Sequence, residues 1–176
     1  MNALTLPSFV GYFLTNTLSL LGTWVQKVGL GWLAWQITES TFWTSVVSLL
    51  LMAPVGLLGP FIAVFAERWN SRYAMLATKI MMLGISGVIF VIQLLGLHNL
   101  FTLVACSTAL GLLSAFHHPI RLVYISLVVP KPYLASAVGL NSVSWNLSRI
   151  IGPGLAGLTI HLMGLSETFF IAILLY

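Results

Sequence analysis

Polar side chains recur along one side of the first long apolar run of this sequence. Asn16, Ser19, Thr23 and Gln26 follow one another at steps of three, four and three residues, and Lys27 comes directly after. Such steps place side chains on one face of an α-helix. Groups of these types can bind a polar ligand or relay a proton, and they can also hydrogen-bond to a neighbouring helix. The sequence predicts Asn16 and Gln26 as pathway residues and leaves the packing alternative open.

Lys27 is the cation of this face, and it has two interpretations. In a ligand pathway its ammonium would attract a negatively charged group. Because Lys27 lies about 20 residues into the apolar run, its side chain can alternatively reach the outer interface of a membrane. Trp24, Trp32 and Trp35 are placed as in an interfacial aromatic belt, which favours that alternative.

The fourth apolar run carries a second polar face. Ser114, His118 and Arg121 are spaced by four and three residues, and His117 and His118 come just before Pro119, where a helix loses a backbone hydrogen bond or kinks. His118 and Arg121 are predicted at a substrate or proton site. The alternative is a helix end near the cytoplasmic headgroups. Because adjacent histidines point in different directions on a helix and no Cys, Asp or Glu is nearby in sequence, no metal site is predicted.

The fifth apolar run adds Asn141, Trp145 and Arg149. Arg149 has about 16 residues of the run on either side, so it is expected near the middle of a membrane. An arginine at that depth costs about 2.5–3.5 kcal/mol on insertion scales, and a ligand or a paired polar group would offset this. We predict that Asn141, Trp145 and Arg149 line the pathway, with a purely structural pairing of Arg149 as the alternative.

The charge embedded in the apolar runs is entirely positive. Glu39, Glu67 and Glu167 are the acidic residues, and all three fall between the runs. This pattern predicts a pathway for anionic or zwitterionic small molecules, with histidines or Lys27 as the groups available for proton coupling. It provides no carboxylate pair and no nucleophile beside a base, so neither an enzyme nor a cofactor is expected.

The elements that position these residues are membrane helices. The sequence is 59% hydrophobic and 6% charged, whereas an ordinary soluble domain has about 25% charged residues. Its mean hydropathy is +1.04. The net charge of +4 is therefore interpreted as loop and pathway charge rather than as a nucleic-acid-binding surface. The predicted surroundings are a lipid bilayer.

Crossing a bilayer takes about 20 apolar residues of helix. On that basis residues 1–176 form one all-α transmembrane domain, a polytopic helix bundle with five complete spans and the start of a sixth near Thr168. The sixth continues for only about 9 residues, which is too short to cross. The five spans are predicted at roughly 8–36, 42–66, 73–95, 100–127 and 133–163.

Lysine and arginine predict the orientation, because cytoplasmic loops are enriched in them. Arg68, Arg72 and Lys131 lie in the turns after spans two and four, with Lys79 and Arg121 within reach, and the other turns contain neither residue type. The N-terminus is therefore predicted in the cytoplasm. It shows no cleavable signal peptide, so the first span is expected to act as the insertion signal.

The turn between spans two and three resembles the loop signature of the major facilitator superfamily. Ala66, Arg68 and Arg72 match that signature, Glu67 takes the place of its aspartate, and Ala63 stands where the family has a glycine. The resemblance implies that Ala63, Glu67, Arg68 and Arg72 form a gating loop. Such a loop helps to hold the outward-facing state through contacts to the opposite half of the transporter.

The fifth span is similar to the antiporter signature of the same family, a series of glycines with a Gly-Pro pair and a closing Gly-Gly. Gly139, Gly152, Pro153 and Gly157 match it, and Ala156 stands for the first glycine of the closing pair. The resemblance implies that this helix packs tightly at a closed interface. Tight packing without a transport role is the alternative.

Three further stretches resemble the bacterial branch that includes the enterobactin exporter and macrolide-efflux-like proteins, namely residues 24–32, 115–121 and 140–153. The resemblance implies the N-terminal half of a twelve-helix secondary transporter in the bacterial cytoplasmic membrane. Such proteins export drugs or siderophores by alternating access with proton antiport. The implied partner is a C-terminal half. The alternative is a truncated or half-transporter protein that needs a separate second half and does not transport alone.

Overall fold

A computed structural model describes residues 3–66 and 68–176 of the chain. Over these residues the structure has six α-helices and two short 3-10 turns, at Ala3–Thr5 and Lys131–Tyr133. The all-α prediction is confirmed. Glu67, which was predicted in the gating loop, lies outside the described residues. The helices are α1 (Pro7–Thr38), α2 (Thr41–Ala66), α3 (Ser71–Leu94), α4 (Leu100–Val128), α5 (Leu134–Leu162) and α6 (Leu165–Leu175).

Local signals at the helix ends explain several of these boundaries. The Asn70 and Asn99 side chains cap α3 and α4 by accepting hydrogen bonds from the backbone N–H groups of Tyr73 (3.5 Å) and Thr102 (2.8 Å). Gly164 has a φ of +112°, a conformation that side chains disfavour, and it makes the turn between α5 and α6. Because these signals are visible in the sequence, the ends of the spans predicted from it lie close to the ends of the observed helices.

Three of the described helices, α2, α3 and α4, are both long and apolar enough to cross a membrane. α1 and α5 contain 32 and 29 residues, which is sufficient length for a span. Their mean hydropathy is lower because they carry the polar residues of the interior, such as Gln26 and Asn141, which are buried. α6 has 11 residues and is shorter than a span. Three spans thus follow from length and apolarity, α1 and α5 are long enough to form two more, and the orientation stays a prediction.

Prolines lie inside continuous helices. Pro119 is within α4 and Pro153 is within α5. α4 continues beyond Pro119 to Val128, so the alternative that His117 and His118 mark a helix end is wrong. Neighbouring helices and side chains often satisfy the backbone groups that a proline frees in a membrane helix. The two histidines therefore lie in the helix interior, where they face other helices.

α1 lies at the centre of the bundle and packs against α2, α4, α5 and α6, while α4 packs against α2 and α3. Glycines allow the closest approaches. A Cβ atom at Gly111 of α4 would overlap the Leu50 carbonyl oxygen of α2, and one at Gly22 of α1 would lie 2.8 Å from the Ala172 carbonyl oxygen of α6. These contacts bring the polar faces of α1 and α4 toward a common interior.

Candidate functional site

A narrow cavity lies between α1, α2, α3, α4 and α5. Its volume is about 30 Å³, which is room for about two water molecules at roughly 10–15 Å³ each. The cavity in this bundle thus accommodates water or one functional group of a ligand, not a whole drug-sized molecule. It is lined by Leu20, Thr23, Lys27, Val55, Lys79, Met82, Ser114, His117, His118, Arg121 and Trp145.

Arg121 is the most deeply buried cation at the cavity, with 2% of its surface exposed. Its guanidinium carbon lies 5.2 Å from the centre of the Trp145 ring, a cation–π arrangement. Its Nε group has no hydrogen-bond partner among the described residues. Burial of a charged group without full pairing is unfavourable, so this arginine is held in place at an energetic cost.

Lys27 and Lys79 approach the cavity from α1 and α3. The Lys27 ammonium lies 4.8 Å from the centre of the Trp24 ring. The Lys79 ammonium donates a hydrogen bond to Ser19 and lies 5.3 Å from the centre of the Tyr176 ring. Lys27 therefore faces the bundle interior, and the interpretation that it reaches the outer interface is not what the structure shows.

Lys79 is the functional candidate that sequence reasoning missed, because its charge was used only to predict orientation. A signal for its position exists in the sequence. Thr78 and Ser86 are buried polar residues eight positions apart on α3, and Lys79 follows the first of them. Together Lys27, Lys79 and Arg121 form what we call the cation cluster. Among the described residues the acidic side chains are Glu39 and Glu167, at helix ends, and neither lines the cavity.

The two histidines have different surroundings. The Nδ1 atom of His117 is hydrogen-bonded to the Thr78 hydroxyl at 2.9 Å, and His117 is buried. The His118 ring meets the Trp145 ring edge-on, with 5.3 Å between their centres. His117 thus joins α4 to α3, whereas His118 and Trp145, both predicted as pathway residues, form part of the cavity wall beside Arg121.

Three other predicted pathway residues hold helices together. Asn16 donates a hydrogen bond from its amide to Asn141 at 3.4 Å, which joins α1 to α5. Gln26 donates to the Ser86 hydroxyl at 2.8 Å, which joins α1 to α3. None of Asn16, Asn141 and Gln26 is among the residues that line the cavity. The structure therefore shows the packing alternative for these three, and a pathway role for them stays a prediction.

Arg149 and the described gating-loop residues lie on the outside of this bundle. Arg149 is exposed on α5 and does not line the cavity. Ala63, Arg68 and Arg72 are exposed as well. No pairing partner for Arg149 is found among the described residues of the chain. A ligand or pairing role for it would require contacts that this bundle does not provide.

The residues of the glycine signature of α5 lie on two different faces of the helix. A Cβ atom at Gly152 would overlap the Cβ atom of Trp24 on α1, and Ala156 is buried beside α1 and α6. Gly139 and Gly157 have no atom within 4 Å of an added Cβ. Gly152 and Ala156 thus permit close packing of α1 against α5, while Gly139 and Gly157 face open space.

Comparisons with known proteins place these features in a family. The family described as transmembrane secretion effector matches residues 2–176. Two curated relatives, each 26% identical to this chain, are an uncharacterized MFS-type transporter of Bacillus subtilis, YfiS, and the staphyloferrin A transporter of Staphylococcus aureus. The alignments cover 89% and 93% of this chain but only 37% and 43% of the relatives. No solved structure matches the chain.

Proposed function

Since this chain belongs to the major facilitator superfamily of transporters, in the transmembrane secretion effector family, we propose that it is the N-terminal half of an exporter. The exported molecule is drug-like or siderophore-like, and export proceeds by alternating access in exchange for protons. The observation that carries the proposal is the polar cavity at the centre of the bundle, with its cation cluster and two histidines. The staphyloferrin A transporter among the relatives supports the siderophore class.

A second half would cover the surfaces that this bundle leaves open. The chain spans about two fifths of the length of its curated relatives. α2 and α5 carry exposed apolar side chains, and Gly139, Gly157 and Arg149 lie on the open side of α5. In a bilayer such faces meet lipid or another helix. The exposed apolar residues include Leu49, Leu57, Phe61, Val64 and Phe65 on α2 and Val143, Leu147, Ile150 and Leu158 on α5.

The gating loop would act through α4. Arg68 and Arg72 are exposed in and after the turn that follows α2, where they are available to a second half. Between them Trp69 stacks on Phe116 of α4, with ring centres 6.1 Å apart and planes inclined by 18°. Because Arg121 is on the same helix, movement of this turn would shift the helix that carries the deepest cation of the cavity.

Proton exchange requires a titratable side chain in the pathway. The hydrogen bond to Thr78 occupies Nδ1 of His117, whereas no hydrogen bond to a protein group is found for the His118 ring in the described part of the chain. His118 is therefore the proposed proton carrier. Its neighbour Arg121 is the proposed electrostatic partner. When His118 is protonated, its imidazolium would compete with the Arg121 guanidinium for the same anionic group of the ligand.

The chain is proposed to lie in the bacterial cytoplasmic membrane with its N-terminus in the cytoplasm, as its lysine and arginine distribution predicts. The alternative arrangement is a half-transporter whose second half is encoded separately. Its open α2 and α5 faces suit either arrangement. An immunoblot of the native protein distinguishes them, because a fused second half more than doubles the mass of 19.2 kDa.

Everted membrane vesicles test the proposed transport. We expect vesicles that contain the complete protein to accumulate staphyloferrin A when their interior is acidified, because export from a cell corresponds to uptake into an everted vesicle. Nigericin, which collapses the pH gradient, should reduce uptake to the level of vesicles from an empty-vector strain. Uptake that equals the empty-vector level before nigericin is added, for this siderophore and for a panel of drugs, would contradict the proposal.

A further inference from the structure

We propose that the cation cluster is an anion-binding site for a polycarboxylate, in which Lys27, Lys79 and Arg121 attract the transported molecule and one of its carboxylates enters the cavity. The inference rests on the proposed function and specifies its substrate class. It also assigns a binding role to Lys79. The probe that represents this chemistry is citrate, a small tricarboxylate.

The first argument is the balance of charge around the cavity. Three cations from three different helices, α1, α3 and α4, line one cavity of about 30 Å³. Like charges around one cavity repel each other, and the low dielectric of a membrane interior strengthens the repulsion. Among the described residues no acidic side chain lines the cavity to neutralise them. An anion bound in the cavity would relieve this repulsion.

The second argument is the unsatisfied arginine. Arg121 is 2% exposed, lines the cavity, and has an Nε group without a hydrogen-bond partner in the described part of the chain. The guanidinium is a planar fork that matches a carboxylate in two parallel hydrogen bonds. A carboxylate at the cavity would accept hydrogen bonds from the guanidinium and neutralise its charge. The structure thus holds a buried, incompletely paired cation at the cavity, and an anionic ligand there would pair with it.

The third argument is the aromatic wall. The Trp145 ring contacts Arg121 at 5.2 Å and His118 at 5.3 Å, and its centre lies 6.0 Å from that of Trp24. Trp24 in turn holds Lys27 at 4.8 Å. The two rings fix the direction of both cations without neutralising them, since an aromatic face carries no net charge. The site is therefore pre-organised for a ligand with several negative groups.

The same cluster would attract the phosphate of a lipid headgroup, because the recognised chemistry is an anionic oxygen in either case. Lysine and arginine near a membrane bind anionic lipids by this attraction. The cluster lies between helices, in a cavity that Thr23 and Ser114 also line, which favours a soluble anion from the aqueous pathway. The experiment includes both sources.

The test uses the complete protein in phosphatidylcholine nanodiscs and isothermal titration with citrate. We expect saturable citrate binding that Lys79→Gln weakens at least about tenfold, as expected for the loss of one charge-assisted hydrogen bond. Lys79→Arg should bind within about threefold of wild type, since it restores the charge. Lys131→Gln, a change at an exposed lysine in the turn before α5, is the matched control and should bind as wild type does.

Several results would overturn the inference. They are the absence of citrate binding to wild type, an unchanged affinity in Lys79→Gln, and equal binding of the neutral ester trimethyl citrate. A second titration in phosphatidylglycerol nanodiscs separates the two sources. Unchanged citrate affinity supports the soluble anion, and a loss of citrate binding assigns the site to the lipid headgroup instead. Proton-driven export of an uncharged drug without citrate binding would reject this inference and retain the proposed function.

Discussion

Gly152→Val should lower the free energy of unfolding by about 1–3 kcal/mol, the usual range for inserting a group into a well-packed core, and should abolish transport. A Cβ atom at Gly152 would overlap the Cβ atom of Trp24, and the ring carbon Cγ of the same residue would lie 3.4 Å away. Because the Trp24 Cβ is fixed to the α1 backbone, α1 and α5 must separate. That separation moves Trp24 and, with it, Lys27.

The matched control is Gly154→Val, two residues further along the same helix. A Cβ atom at Gly154 has no neighbour within 4 Å, so the two variants change helix propensity alike and differ in the contact that they create. Unfolding of the purified protein by sodium dodecyl sulfate measures both. Equal destabilisation by the two substitutions would show that α1 and α5 are not packed closely at Gly152.

Arg121→Met is expected to reduce transport at least about a hundredfold while leaving the protein as stable as wild type or more stable. Methionine fills a similar volume without a charge. Burial of a charged arginine without full pairing is unfavourable, whereas the cation–π contact with Trp145 returns about 0.5–2 kcal/mol. Removing both should therefore not destabilise the fold. Loss of the cation removes the deepest group of the proposed binding site.

Uptake into everted vesicles and unfolding in sodium dodecyl sulfate report the two quantities separately. Lys131→Met, which also replaces a cation by methionine but at an exposed position, should change neither. If Arg121→Met instead lowers stability by more than about 1 kcal/mol and retains transport, then Arg121 is a structural residue. That magnitude is the threshold because a packing role would cost at least as much as the cation–π contact alone.

The helices were predictable from the sequence because their signal is local. Runs of apolar residues have to be about 20 residues long to cross a bilayer, and the runs end at residues such as Asn70 and Asn99, which cap the following helix. α1 and α5 were also found, although polar residues lower their hydropathy. The family resemblance drew on the same segments, and the match to residues 2–176 confirms it.

The rotation of each helix about its axis was not predictable, and this rotation decides which side chains line the cavity of the bundle. Arg149 is exposed in this bundle, because Gly152 and Ala156 set the face of α5 that packs on α1, and its pathway role stays a prediction. Lys79 was read as a loop-proximal charge, yet its ammonium points toward Ser19 of α1. The depth of a residue in the membrane follows from its position in an apolar run of the sequence. The direction in which its side chain points depends on which neighbouring helices its own helix packs against.

The measurement that tests the central claim most directly is the reactivity of Ser114→Cys toward charged thiol reagents. Ser114 lines the cavity, and among the described residues its hydroxyl bonds only to the Leu110 carbonyl of its own helix, so the change is mild. Cys106→Ala removes the native thiol. Ser107→Cys, two turns earlier on α4 at a fully buried residue, is the control.

If the cavity is a water-accessible pathway for anions, the anionic reagent methanethiosulfonate ethylsulfonate should modify Ser114→Cys faster than its trimethylammonium counterpart does. Citrate should slow that modification, and Ser107→Cys should react with neither reagent. The preference should weaken when Lys79→Gln is added. Modification of Ser114→Cys that is no faster than that of Ser107→Cys, or that is faster with the cationic reagent, would contradict the account.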